Sequence, residues 1–280
     1  MAHILLCGLG DLGQRVARSL CERGHQVSAL RRRAEAPDGV EVFPQQLGQE
    51  PVQLPAAPVD LVYIVMAPDE RTEAAYRDAY IRAPIAVLDA LAVRGERPPA
   101  LFVSSTAVYG ADQGEVDELT APAPDGFNGR VLLEAETAVF QRTTAVAVRL
   151  SGLYGPDSVR LLRQVQQLAA DGAALPASVW SHRIHRDDAA ALLVALGEAR
   201  LAGQALPPVV IGTDPQPVSN HEVLHWLASE LGLTLPPAAA PAGKRLRSRY
   251  LAVRPVAWCY PDYRAGYRPV LERFRNGELS

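Results

Sequence analysis

Residues 3–20 read HILLCGLGDLGQRVARSL, and this stretch indicates the fold class of the chain most directly. The run from His3 to Cys7 is typical of a strand, and a helical pattern begins at Asp11. Between them lies a G-x-G-x-x-G, which at a strand-to-helix junction is the dinucleotide-binding fingerprint. Its glycines allow a tight turn, close approach to a pyrophosphate and close helix–strand packing, and the helix N-terminus attracts the phosphates. We predict cofactor contacts at Gly8, Gly10, Asp11, Leu12 and Gly13, the alternative being a glycine-rich turn without a ligand.

The rest of the first 150 residues alternates strand-like and helical patterns, which indicates an α/β fold with a parallel sheet covered by helices. Strands are predicted at 26–31, 40–43, 61–66, 100–104 and 145–150, and helices at 70–93 and 128–141. We predict a nucleotide-binding domain over 1–150 and a mixed C-terminal substrate lobe over 151–280. Segments near 145–150 and 208–212 are expected to join the main sheet. In the lobe, a helix over 188–199 is expected to be capped by Asp187.

Composition excludes several classes of protein. The net charge of −3 over 280 residues argues against a general nucleic-acid binder. The longest apolar runs, such as Leu61 to Ala67, are far shorter than the roughly 20 residues that span a bilayer, and the N-terminus does not resemble a signal peptide. Three scattered cysteines form neither a disulfide framework nor a metal site. We therefore expect a cytoplasmic protein with no nucleic-acid or membrane partner.

The end of the second predicted strand indicates which cofactor binds. An NAD enzyme usually places an acidic residue there for the ribose hydroxyls, whereas an arginine accommodates a 2′-phosphate. Here Leu30 leads into Arg31, Arg32 and Arg33, and the first acidic residue is Glu35. Guanidinium groups bind phosphate through paired donors. We therefore predict NADP, favoured over NAD, with Arg31 and Arg32 as contacts; the alternative is a solvated basic turn.

Four segments together resemble the extended or atypical short-chain dehydrogenase/reductase superfamily, in its NAD(P)-dependent epimerase/dehydratase-like branch. The first is the glycine motif, and the other three are Ser104 to Gly110, Val148 to Pro156 and Arg183 to Asp188. The resemblance covers nearly the whole chain. It implies a Rossmann-type, doubly wound, mostly parallel sheet of about seven strands. It also implies a cofactor across the strand ends, with contacts that we place at Ala67, Pro68 and Ser104, and a substrate pocket made with the C-terminal lobe.

The resemblance implies catalytic residues, and this chain departs from them. Ser105 matches the residue that orients the substrate oxygen. The family's acid/base is a Tyr four residues before a Lys, whose cation lowers the Tyr pKa. Aligned by its Leu-Glu-Ala-Glu end, the helix places Asn128 and Leu132 at these positions, and a shift of one residue gives Phe127 and Val131. Lys244 is the only lysine, with alanine four residues before it, so no Tyr-x-x-x-Lys exists.

Other side chains are candidates for the missing chemistry. Tyr109 and Tyr154 could donate a proton, although each could equally be a half-buried aromatic with a structural hydrogen bond. Asn128 could orient a carbonyl or a water but cannot act as a general acid. Arg183 and Arg130 are candidate contacts for an anionic substrate. His182, His185, Asp187 and Asp188 include metal-ligand types, but turn packing and capping explain them better, so no metal is predicted.

Three functions remain open at this point. The first is an NADP(H)-dependent oxidoreductase or nucleotide-sugar epimerase/dehydratase-like enzyme with a non-standard acid/base and a small-molecule substrate. The second is a non-catalytic regulator that senses NADP(H). The third is a reductase of flavin- or quinone-type acceptors, which need no Tyr–Lys pair. The resemblance also implies a homodimer through the helices at 70–93 and 128–141.

Overall fold

The computed structural model describes residues 1–49, 51–254 and 256–279. Its strands are β1 (His3–Cys7), β2 (Gln26–Arg31), β3 (Val40–Pro44), β4 (Leu61–Ile64), β5 (Ala100–Ser105), β6 (Glu115–Val116), β7 (Ala145–Leu150), β8 (Gly152–Tyr154), β9 (Trp180–Ser181), β10 (Arg183–His185), β11 (Val209–Gly212), β12 (Val218–Ser219) and β13 (Arg245–Leu246). The helices are α1 (Asp11–Glu22), α2 (Glu73–Arg77), α3 (Ala83–Val93), α4 (Phe127–Phe140), α5 (Arg160–Asp171), α6 (Arg186–Leu201), α7 (Asn220–Glu230), α8 (Arg249–Val253) and α9 (Tyr263–Arg275).

Seven parallel strands form the central sheet, in the order β11-β7-β5-β4-β1-β2-β3. This confirms the predicted α/β fold with a Rossmann-type sheet. The chain builds outward from β1 to β3 and then returns to β4 on the other side of β1. Ligands of such sheets bind outside the carboxyl ends of the strands at this reversal of strand order. The topology therefore places a binding crevice between the ends of β1 and β4.

The central strands β1 and β4 are fully buried and mostly apolar because helices cover both faces of the sheet. On one face Leu6, Tyr63 and Leu101 join a buried cluster with residues of α1 and α6. On the other face Leu5, Ile64 and Phe102 join a cluster with residues of α3 and α4. A third cluster, built from α5, α7 and α9, forms the interior of the C-terminal lobe.

Two helices differ from the sequence prediction. The helical segment predicted from residue 70 begins at Glu73, and a π-helical turn over Asp78–Arg82 joins α2 to α3. The prediction that Asp187 caps a helix starting near residue 188 is wrong, because α6 begins at Arg186 and its N-cap is His185. The imidazole Nδ1 of His185 accepts a hydrogen bond from the Asp187 amide at 3.2 Å.

The C-terminal lobe contains a helix that the sequence analysis did not predict. Helix α9 carries Pro269 in its interior, where proline removes a backbone donor and disfavours a helix. It forms because Tyr263, Tyr267 and Val270 are buried in the lobe's cluster. Across the described residues, the helices lack the combined length and apolar character that crossing a bilayer requires.

Candidate functional site

A cleft of about 820 Å³ lies at the carboxyl edge of the sheet, where the strand order reverses. Residues that follow β1, β2, β3 and β4 line it, and the helical segment around residues 75–83 forms one wall. Six of the predicted cofactor contacts line this cleft: Gly8, Gly10, Arg31, Arg32, Ala67 and Pro68. The structure thus brings together residues that are up to 60 positions apart in the chain.

The three glycines of the turn after β1 are needed for different structural reasons. Gly8 has a φ of +92°, and a side chain there would run into the Val65 carbonyl oxygen. A Cβ on Gly13 would lie 2.7 Å from the Gly8 carbonyl oxygen, so Gly8 and Gly13 serve the fold. Gly10 has a φ of −71°, which any residue adopts, and a Cβ there would meet nothing within 4 Å. A small residue at Gly10 therefore keeps the cleft open beside the helix.

The N-terminus of α1 faces this open space. Gly10 is the N-cap and has no side chain to satisfy the first amides of the helix, which leaves donors and the positive end of the helix dipole for an anion. Leu12 and Gly13 are buried behind the turn. The carboxylate of Asp11 is half exposed and pairs with Arg15 at 3.2 Å and Arg186 at 3.5 Å.

Three arginines line the cleft at the end of β2: Arg31 is the last residue of the strand, and Arg32 and Arg33 follow it. The Arg31 guanidinium donates to the Glu35 carbonyl. Arg32 donates two hydrogen bonds to Asp69, at 2.5 and 2.6 Å, and this pairing holds the pKa of the Asp69 carboxyl below its ordinary value. Arg32 and Arg33 are exposed and Arg31 is half-buried.

The turn after β5 begins with Ser105, the residue predicted to orient the substrate oxygen. We call residues 105–109 the reactive turn; they are not among the residues that line the cleft. Ser105 caps a short 3₁₀ helix over Thr106–Val108, and its hydroxyl oxygen accepts from the Ala107 amide at 3.2 Å. A serine that accepts through its oxygen can still donate its own proton. Ser105 is half-buried at the carboxyl edge of the sheet, which suits a hydroxyl that must contact a ligand.

A buried polar network lies directly behind this turn. Glu136 of α4 receives two hydrogen bonds from Arg149 of β7, at 3.0 and 2.6 Å, and one from the Ser104 hydroxyl at 2.6 Å. Arg149 also donates to the Tyr109 hydroxyl at 2.7 Å. All four side chains are buried. The predicted contact between Ser104 and the cofactor gains no support, because its hydroxyl is used inside the protein.

Lys244 reaches the same turn from the C-terminal lobe. Its ammonium donates to the carbonyl oxygens of Thr106 at 3.0 Å and Tyr109 at 2.7 Å. It thereby satisfies the carbonyl end of the 3₁₀ helix that Ser105 begins. Partial burial lowers the pKa of Lys244, while the nearby Asp125 carboxylate acts in the opposite direction. The only lysine in the chain is therefore at the reactive turn, which sequence spacing alone could not show.

The segment that carries Lys244 is held by His182. The amide of Leu246 donates to Nε2 of His182 at 2.9 Å, and β13 pairs in parallel with β6 next to the reactive turn. Burial, with the nearby cations of Lys244, Arg183 and Arg245, lowers the pKa of His182 to about 4. The ring is neutral at physiological pH, as an acceptor must be.

The two tyrosines proposed as acids use their hydroxyls within the protein. Tyr109 donates to the Asp117 carbonyl at 3.2 Å, and Tyr154 donates to the Asp262 carbonyl at 3.3 Å. Their rings are 2% and 5% exposed. Burial raises the pKa of both phenols. This geometry favours the structural interpretation of both residues.

Arg183, a predicted substrate contact, lies inside the C-terminal lobe. Its side chain is buried, contacts the ring of Tyr263 and donates to Ser181. Asp214 lies nearby, and burial raises the pKa of its carboxyl to about 7. Arg183 is 7% exposed, and its buried Nε has no hydrogen-bond partner within the described residues, so the predicted substrate contact stays a prediction. Within the described ranges, no three potential metal-ligating side chains come together.

Comparison with known proteins shows which family has this sequence and architecture. No family model matches the chain. A Methylobacillus flagellatus protein described as an NAD-dependent epimerase/dehydratase is 32% identical, with 98% of this chain and 99% of that chain covered and a TM-score of 0.79. The chain belongs to the NAD-dependent epimerase/dehydratase family. The Escherichia coli K12 protein YeeZ is 32% identical over 170 residues, which are 56% of this chain and 60% of YeeZ, so less than two thirds of that relative is matched.

A third comparison concerns the fold alone. MoeE5, solved in complex with UDP-glucose and NAD, is 19% identical, with 99% of each chain covered and a TM-score of 0.74. The Methylobacillus flagellatus relative confirms the resemblance to the epimerase/dehydratase branch at the level of family, and MoeE5 agrees with it in fold.

The first turns of α4 show where this chain differs from the expected pattern of an epimerase/dehydratase. Leu132, at the position implied for the lysine, is 2% exposed and packs in the core between α4 and the sheet. Asn128, at the position implied for the tyrosine, is half-buried at the start of the helix. Arg130 is exposed and donates to the Asp125 carbonyl at 3.1 Å. This helix holds its place by packing and carries no cation toward the reactive turn.

Sequence reasoning also missed the ion pair behind the turn. Two signals could have indicated it: Arg149 interrupts the apolar strand Ala145–Leu150, and Glu136 lies next to Ala135 on the apolar face of α4. Charged residues on two buried surfaces are expected to pair.

Proposed function

We propose that the protein is an NADP(H)-dependent enzyme that carries out oxidoreductase or nucleotide-sugar epimerase/dehydratase-like chemistry on a small molecule. The observation that carries this proposal is the 820 Å³ cleft with a glycine turn at one end and three arginines at the other. That combination offers uncapped helix amides to a pyrophosphate and guanidinium groups to a 2′-phosphate. Membership of the epimerase/dehydratase family supports the reaction class.

The residues present fit a dinucleotide. The turn at Gly10 leaves open space where a side chain would otherwise stand, and Ala67 and Pro68 line the wall after β4 with small, apolar surface. Arg31 and Arg32 would hold the 2′-phosphate. When bound, the nicotinamide supplies hydride transfer. NADP is the cofactor we favour over NAD, because the edge after β2 has no acidic residue before Glu35.

On the substrate side, Ser105 supplies a hydrogen-bond donor for the reacting oxygen. Lys244 fixes the turn by binding its two carbonyls and adds positive charge beside it, which favours a developing negative charge. The proton itself comes from water or from the substrate, because the hydroxyls of Tyr109 and Tyr154 are used by backbone carbonyls. Substrates whose reaction needs a strong enzyme acid should therefore turn over slowly.

The buried Leu132 favours two further candidate functions. Without a tyrosine–lysine pair, the cleft could bind NADP(H) as a sensor without turnover, or reduce flavin- or quinone-type acceptors that need no enzyme proton. A homodimer through α3 and α4 stays a prediction. Within one chain, Asp89 of α3 pairs at 2.8 Å with Arg142, which lies just after the end of α4.

One assay separates these functions. NADPH oxidation is followed with a panel of carbonyl compounds, quinones and flavins, using wild type, Ser105→Ala and Ser105→Thr. Removing a donor of this kind typically lowers turnover by about 10²–10³-fold. We expect Ser105→Ala to lower turnover while the NADPH dissociation constant is unchanged, and Ser105→Thr to keep part of the activity. Turnover with flavins or quinones alone supports the reductase, and tight NADPH binding without any turnover supports the sensor.

A further inference from the structure

Asp69 lines the cofactor cleft and forms an ion pair with Arg32, one of the arginines that we expect to bind the 2′-phosphate. Both terminal nitrogens of Arg32 donate to the two carboxylate oxygens of Asp69, at 2.5 and 2.6 Å. Paired donation of this kind matches the planar fork of a guanidinium to a carboxylate, and the same fork binds a phosphate. The Asp69 carboxylate thus accepts the hydrogen bonds that the Arg32 guanidinium would otherwise donate to a 2′-phosphate.

The pair crosses the mouth of the cleft. Arg32 follows β2 and Asp69 lies beyond β4, while β1 lies between these strands in the sheet. Strands are spaced by about 4.8 Å, so the pair joins loops roughly 10 Å apart across the end of β1. That end carries the glycine turn, so the pair joins the two loops that flank this turn, and both of its residues line the cleft.

The neighbouring arginines are engaged less fully. Arg31 uses one terminal nitrogen on the Glu35 carbonyl, and Arg33, within the described residues, makes no ion pair. The side chains of Arg32 and Asp69 are 58% and 65% exposed, and exposed ion pairs contribute little stability because water competes with them. A dianionic phosphate can therefore replace the carboxylate on Arg32.

We propose that Asp69 is a cofactor-specificity residue, whose carboxylate holds the Arg32 fork until a 2′-phosphate exchanges with it. This inference rests on the proposed NADP(H) binding. The exchange forms and breaks only ion pairs and hydrogen bonds. Asp69 lowers the affinity for NADPH, because the phosphate must displace it, and leaves the affinity for NADH unchanged, because NADH has no group that competes for Arg32.

Calorimetric titration of the full chain with NADPH and with NADH tests this inference, using wild type, Asp69→Asn and Asp78→Asn. Asp78 is the matched control, since it lines the same cleft but pairs with Arg82 at 2.5 Å. The Asp78→Asn variant shows the general effect of removing a negative charge from the cleft. The double variant Arg32→Met/Asp69→Asn shows whether the effect of Asp69 acts through Arg32.

We expect Asp69→Asn to strengthen NADPH binding by roughly two- to fivefold, the range that an exposed ion pair contributes, with NADH unchanged. Asp78→Asn should change the ratio of the two affinities little, and the gain should vanish when Arg32 is Met. Unchanged or weaker NADPH binding in Asp69→Asn, or an equal gain for both cofactors, overturns the inference. Wild type that binds neither cofactor instead overturns the proposed function, so the two failures are distinguishable.

Discussion

Two ends of the same sheet edge are built in different ways. The cofactor end comprises the turn Gly8–Gly13 and the arginines Arg31–Arg33, which lie close together near the N-terminus. The reactive end comprises the turn Ser105–Tyr109 and the first turns of α4, and it is completed by Lys244, which is 135 residues beyond Tyr109. The cofactor end depends mainly on local backbone shape and local charge. The reactive turn, in contrast, is held in place by side chains from distant parts of the chain.

The largest effect should come from breaking the buried pair behind the reactive turn. Glu136→Leu leaves Arg149 buried without its partner, and removing one member of such a pair typically costs about 3–5 kcal/mol of unfolding free energy. Glu134→Leu on the same helix is the control, because Glu134 pairs with Arg77 on the surface and should change stability little. Urea unfolding measures both variants. Similar midpoints for the two would show that the pair does not support the turn, and Glu136→Leu/Arg149→Met should recover part of the loss.

The next effect concerns the cofactor end. Gly10→Val should leave the fold intact, because its backbone is extended and the space around it is open, but should block the approach of a pyrophosphate. Overpacking typically costs about 1–3 kcal/mol, here as lost binding free energy. NADPH titration measures the loss, and thermal unfolding checks the fold. Retained affinity in a folded Gly10→Val protein would show that the cofactor does not pass over this turn.

Substitution of Lys244 tests the reactive end, and its expected free-energy effect is similar to or smaller than that of Gly10→Val. Lys244→Met removes two charge-assisted hydrogen bonds to the turn, and a bond to a charged group contributes about 1.5–3 kcal/mol when buried, less for this half-buried ammonium. We expect turnover to fall while NADPH affinity stays the same, with Lys244→Arg retaining part of the activity. If Lys244→Met lowers cofactor affinity and turnover together, the separation of the two ends is incorrect.

The smallest effect is the contribution of His182 to the pH dependence of stability. The pKa of His182 is lowered from about 6.5 to about 4, so the neutral ring stabilises the fold fully above pH 6.5, and this stability is lost as the pH falls toward 4. Linkage gives a loss of about 1 kcal/mol between pH 7 and pH 5.5. Asp214 acts in the opposite direction because its pKa is raised to about 7. Comparing wild type with His182→Gln isolates the histidine contribution.

Hydrogen exchange locates that effect. Below pH 6 the amide of Leu246, which donates to His182, should lose protection, while the amides of β1 should keep theirs. An equal loss of protection at Leu246 and in β1 would show that acid destabilises the whole fold and not the reactive end alone.

The sequence predicted what depends on local backbone geometry. The strand, turn and helix from His3 to Glu22 could be predicted because glycine spacing and apolar periodicity specify them directly. The position of Lys244 and the pairing of Glu136 with Arg149 could not, since each depends on which strands and loops become neighbours. Helix α9 was missed because Pro269 masks it, and its burial in the lobe outweighs its weak intrinsic propensity.

We have proposed that the cleft binds NADP(H) through the glycine turn and the arginine edge. Calorimetry with NADPH and NADH, on wild type and on Arg31→Asp, tests it most directly. A charge-assisted phosphate contact contributes roughly 1.5–3 kcal/mol, or about ten- to a hundredfold in affinity. We expect wild type to bind NADPH more tightly than NADH by this factor, and Arg31→Asp to lose most of the preference. Equal affinities for the two cofactors in wild type would contradict it.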